Sequence, residues 1–112
     1  MDGMQATRER LQRNLEEAQE RIALLRERLE TKADYGPGRG DPAIYQWEFN
    51  LALLQRAEDQ ALQIRAALAR IEAGTYGQCQ SCGQSIEDER LDILPLSTTC
   101  SRCAQLGKVG RH

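Results

Sequence analysis

Two short motifs hold every cysteine in the chain: Cys79-Gln80-Ser81-Cys82 and Cys100-Ser101-Arg102-Cys103, seventeen residues apart. Paired CxxC motifs at this separation read as a four-thiolate metal site, with each turn supplying two corners of a tetrahedron. Cys79, Cys82, Cys100 and Cys103 are thus the expected ligands of one Zn²⁺. With all four positions filled by thiolate, no place is left for a reactive water, so the metal is read as structural. Iron bound in rubredoxin fashion uses the same ligands and stays open at this point. A disulfide pair would need an oxidising compartment. The opening residues Met-Asp-Gly-Met-Gln lead into charged residues, not an apolar signal segment, so a cytoplasmic location is expected. A thioredoxin-like redox pair would need a βαβ setting, and the surrounding pattern has none.

The rest of the chain must position this cluster. Residues 4–32 contain no Gly or Pro, and Leu11, Leu15, Ala18, Ile22, Leu25 and Leu29 recur at alternating spacings of four and three. That is the seam of a coiled coil, with Arg, Glu and Gln filling the other faces. Residues 34–42 carry three glycines and two prolines, which end the helix, and Asp41 with Pro42 can start another. A second helix is expected from Pro42 to Ala73, closed by Gly74. Its seam reads Ile44, Trp47, Leu51, Leu54, Ala57, Ala61, Ile64, Leu68 and Ile71, with a stammer between Leu51 and Ala57. Pairing the seams antiparallel sets Leu25 against Leu51 and Ile22 against Leu54, with paired numbers summing to 75 or 76. The expected fold is mainly α: a long antiparallel two-helix coiled-coil hairpin over 1–74 with a tip loop at 34–42. A four-cysteine zinc-finger module follows over 75–106, and 107–112 reads as a frayed tail. In the module, Ile86, Leu91, Ile93, Leu94 and Leu96 are the expected miniature core, and Thr98 or Thr99 the cap of a short helix bearing the second cysteine pair.

Composition narrows the function classes. Aromatic residues make up 4% of the chain and charged residues 29%, with a net charge of −2. Residues 1–74 hold 11 basic and 13 acidic side chains, and 75–112 hold four of each. Four thiolates around Zn²⁺ add about −2 to that tail. A GATA-type DNA-binding finger shares the cysteine spacing but needs a basic helix and tail. Here only Arg102, Lys108 and Arg111 follow the third ligand, so no sequence-specific DNA binding is expected. No apolar run reaches membrane-spanning length. The only histidine is His112, and no nucleophile–base–carboxylate set is present, so an enzyme is not expected.

Residues 67–83, ALARIEAGTYGQCQSCG, and 89–100, ERLDILPLSTTC, together resemble the DksA/TraR C4-type zinc-finger family of bacterial regulators. The helix end, the Gly-Thr-Tyr-Gly run, the ligand spacing and the Arg-Leu…Leu-Pro segment all coincide. The resemblance implies a protein that binds RNA polymerase directly and inserts its hairpin into the secondary channel to modulate initiation, in some members together with ppGpp. Counting back from Cys79, the family's tip segment falls on Gly36–Arg39, so Arg39 stands where the family carries its acting aspartate. Asp34 and Asp41 flank it, and Arg56 is the base retained on the second helix. The other reading of the same elements is a zinc-stapled adaptor whose helical faces bind a partner. Two hairpins can also associate as a homodimer in a four-helix bundle.

Overall fold

The computed structural model describes residues 3–30 and 42–110. Four helices follow in order: α1, Gly3–Glu30; α2, Pro42–Ala73; α3, Asp88–Ile93; and α4, Ser101–Gly110. Among the described residues the β structure is one isolated antiparallel bridge, Gln78 with Ser85. None of these helices is long and apolar enough to cross a membrane. The chain divides into two compact units, Met1–Ala66 and Ala67–His112, with the last turns of α2 counted in the second.

The first unit is built from α1 and the greater part of α2. Residues with high helix propensity fill α1, and Arg28 in its last turn complements the helix dipole. Leu11, Ala18 and Leu25, seven residues apart, are buried, and Leu15, Ile22 and Leu29 are half-buried between them. The predicted α1 seam is therefore the packed face. On α2 the buried positions of this unit are Asn50, Leu54, Ala57, Ala61 and Ile64. The expected stammer is absent. The seam passes through Asn50, which is 3% exposed, while Leu51 is only half-buried. Stepping from Asn50 to Leu54 restores the four–three alternation. A purely apolar reading skips a polar residue that occupies a core position, where such residues specify register at a cost in stability. Its side-chain oxygen accepts a hydrogen bond from Gln46 Nε2 at 3.3 Å.

An ion pair joins the helices across the seam: Arg26 Nη2 donates to Glu58 Oε2 at 2.7 Å. Side chains lean toward the N-terminus of their own helix, so in an antiparallel pair these two lean toward each other. On the sequence pairing their positions lie eight or nine residues apart, about 12 Å of helix rise. Their mutual lean spans that separation, and the salt bridge ties the two helices together at this level.

In the second unit α2 ends in a Schellman motif. Thr75 N–H donates to Arg70 O at 2.9 Å and Gly74 N–H to Ile71 O at 3.2 Å. Gly74 takes φ +79°, the left-handed conformation this cap requires and the reason glycine ends the helix. Beyond it, Cys79, Ile86 and Cys100 form a small buried cluster with Leu91 and Cys103 packed against it. Ile93 and Leu94, expected in that core, are 77% and 49% exposed. They end a helix of only six residues, too short to turn every apolar side chain inward. Helix α4 runs to Gly110, into the segment read from sequence as a frayed tail.

Candidate metal centre

The first cysteine pair sits in the turn that the Gln78–Ser85 bridge closes. Cys79 N–H donates to Gln84 O at 2.7 Å, Gly83 N–H to Cys79 O at 2.9 Å and Ile86 N–H to Gly77 O at 2.7 Å. Gly83, directly after the pair, has φ +81°, and this reversal returns the chain beside Cys79. The second pair belongs to α4: Cys100 immediately precedes the helix and Cys103 lies in its first turn. Gln80 N–H donates to Thr98 O at 2.8 Å, tying the first turn to the approach to the second.

The four sulfurs thus converge, all within 4.8 Å of one another. Cys82 Sγ and Cys100 Sγ are 3.9 Å apart. A tetrahedron with Zn–S bonds of about 2.3 Å has edges of about 3.8 Å, so this spacing suits zinc. It is far beyond the roughly 2.05 Å of a disulfide, and all four cysteines are free thiols. Cys79 and Cys100 are buried, Cys103 is half-buried and Cys82 is exposed. The donor set fits one structural Zn²⁺ bound by four thiolates.

Electrostatics match that assignment. The Cys100 backbone N–H aimed at the Cys79 sulfur outweighs burial and, with the N–H groups of Cys82 and Ser81, pulls the Cys79 thiol down to about 6. Cys103 is pushed up to about 12, first by the sulfurs of Cys82 and Cys100 and then by burial. Four sulfurs this close cannot all carry charge unless a cation joins them, and a bound Zn²⁺ removes that conflict.

Three polar contacts brace the site that the sequence pattern did not single out. Glu87 Oε1 accepts from the Ser101 backbone N–H at 3.2 Å, so a carboxylate from outside the helix caps the start of α4. This is the place expected for Thr98 or Thr99, whose backbone carbonyls instead accept from Gln80 N–H and, at 3.0 Å, from Arg90 Nε. Glu87 is held below the ordinary carboxylate range by its own backbone N–H and that of Ser101, with Arg90 adding attraction. Tyr76 Oη donates to Pro95 O at 2.8 Å and pins the proline loop to the residues following α2. The only advance signal for these was the residue types themselves, because each partner lies 9 to 19 residues away.

Of the remaining site residues, Arg56 is exposed on α2. Asp34, Arg39 and Asp41, assigned to the tip loop, lie outside the described residues.

Residues 74–106 match the prokaryotic dksA/traR C4-type zinc finger. The RNA polymerase-binding transcription factor DksA of Escherichia coli K12 is 30% identical over 83 residues, 72% of this chain and 55% of that protein. The uncharacterized protein YteA of Bacillus subtilis is 38% identical over 66 residues, 59% of this chain and 28% of that protein. The chain therefore spans just over half of DksA and under a third of YteA. The solved structure of transcription factor DksA2 from Pseudomonas aeruginosa superimposes with a TM-score of 0.81 at 30% identity, covering 96% of this chain and 85% of that one. A shared four-cysteine finger, a shared fold along nearly the whole length and identity at this level place the chain in the DksA/TraR C4-type zinc-finger family.

Proposed function

We propose that this chain is a zinc-dependent transcriptional regulator that binds RNA polymerase directly, its helical hairpin entering the secondary channel to modulate initiation. The observation that carries the reading is the structural likeness to a transcription factor over 96% of the chain. A coiled coil with a charged surface suits a narrow passage, and the zinc module supplies a folded body that the metal stabilises. The chemistry at the channel is assigned to the tip loop, with Asp34, Arg39 and Asp41, and to Arg56 on α2. Arg39 reverses the charge of the family's acting aspartate. It would repel a magnesium-containing active site, so we assign any acidic role to Asp34 or Asp41. In this reading the protein acts in the cytoplasm, without catalysis and without reading DNA sequence. Transcription reactions with purified polymerase, run with the chain and with Arg39→Asp, test it. The chain is expected to change transcript yield and Arg39→Asp to change the response. Identical yields in all reactions would reject the tip assignment.

A second reading, a helical adaptor or homodimer, is favoured by Tyr45 and Phe49, which stand one turn apart on α2 and are 65% and 59% exposed. Light scattering at several concentrations distinguishes it: a mass that doubles with concentration supports association through this face, and a constant monomer mass removes the dimer.

A further inference from the structure

Helices α3 and α4 flank an open groove of about 440 Å³ lined by Glu87, Glu89, Arg90, Ile93, Leu94 and Ser101. It is lined by Ile93 and Leu94, two of the three large apolar side chains, with Leu106, that the zinc module leaves exposed. They are not spare core residues awaiting a better fit, because the module's buried cluster closes without them. The charge on the α3 side of the groove is net negative, with Glu87, Glu89 and Arg90 in its lining and Arg102 on α4 beyond it. Residues 87–94 hold four carboxylates, Glu87, Asp88, Glu89 and Asp92, against a single guanidinium. That guanidinium, Arg90, is half-buried and donates to Thr99 O, so it serves the module's own fold. Glu87 keeps its carboxylate at the groove by accepting from Ser101 N–H. The metal centre compounds the sign, since four thiolates around Zn²⁺ carry about −2.

We propose that this groove docks a basic amphipathic segment of a partner protein, with an apolar anchor over Ile93 and Leu94 and lysine or arginine side chains against Glu87 and Glu89. The charge decides the occupant. A second copy presented through the same face would set carboxylates against carboxylates, and nucleic acid or an anionic lipid surface would be repelled in the same way. A segment combining both features answers the apolar pair and the acidic rim at once, in the manner of a helix laid in a groove. The inference does not depend on polymerase binding, and the groove shares no residue with the tip loop or Arg56 assigned above.

The test uses the full zinc-loaded chain, isotope-labelled for NMR. The probe is a synthetic helical peptide of Lys and Leu at amphipathic spacing, about 15 residues long. A Glu/Leu peptide of the same design is the control. Shifts confined to residues 87–94 and 101–105, weakened by added salt and absent with the Glu/Leu peptide, are expected. Ile93→Ser combined with Leu94→Ser should weaken binding by about tenfold or more. Should that variant lose its metal, Glu89→Lys keeps the apolar pair and should weaken binding while flattening its salt dependence. Shifts spread along α1, equal binding of both peptides, or self-association through residues 87–94 would each overturn the proposal.

Discussion

Replacing Cys100 by Ser tests how the molecule divides its stability. The variant removes one of four ligands and leaves three sulfurs facing a hydroxyl that zinc binds poorly. The module has little else to hold it. Its buried apolar side chain is Ile86, with Leu91 partly covered, together worth about 3–5 kcal/mol of burial. Bound zinc contributes on the order of 10–16 kcal/mol at neutral pH. Without the metal, α3 and α4 should melt while α1 and α2 persist on their own seam. The two short helices hold 16 of the 76 helical residues among those described, 6 in α3 and 10 in α4 against 28 in α1 and 32 in α2. Helical ellipticity should therefore fall by about a fifth, with zinc content dropping from one equivalent to near zero. Chelation of the unaltered chain should give the same spectrum, and adding zinc back should restore it. A loss of more than half the ellipticity would show that the hairpin depends on the module. An unchanged spectrum in metal-free protein would refute the argument that zinc, not apolar burial, folds residues 75–106.

Other expectations follow from single residues. Asn50→Leu places an apolar side chain at a buried seam position and should stabilise the hairpin by about 1–2 kcal/mol in urea unfolding, with loss of its single register. A marked destabilisation would mean that the Gln46 hydrogen bond outweighs the apolar gain. Gly83→Ala meets no neighbouring atom, so its cost is purely the left-handed backbone, about 1–2 kcal/mol, seen as zinc binding weakened roughly five- to thirtyfold. Zinc must displace the Cys103 proton at any pH below about 12, so apparent affinity should rise as pH rises. Competition titrations between pH 6.5 and 8.5 should show log affinity increasing by at least about one per pH unit, and a flat profile would contradict the four-thiolate site.

Local, periodic features were legible before any coordinates. The CxxC spacing announced the metal centre, because two ligands three residues apart in one turn leave few other uses. Gly74 and Gly83 announced left-handed turns that only glycine takes without strain. The α1 seam followed from leucine spacing. What failed was the assumption that a seam is wholly apolar. Leu51 drew the α2 reading one residue off at a position that Asn50 fills. The module's core was over-assigned for a related reason: every apolar residue near a metal site looks like packing. A six-residue helix is too short for periodicity to show that Ile93 and the following Leu94 stay exposed while Ile86 is buried. The caps were out of reach because Glu87, Arg90 and Tyr76 act on residues distant in sequence, where pattern carries no distance information.

Binding to RNA polymerase is the most direct measurement of the central claim. Fluorescently labelled zinc-loaded chain, titrated with core polymerase at low salt, should bind in the micromolar range or tighter. A Gre-type cleavage factor that occupies the secondary channel should displace it. Absence of binding at micromolar concentration, or binding that such a factor leaves untouched, would contradict insertion into that channel.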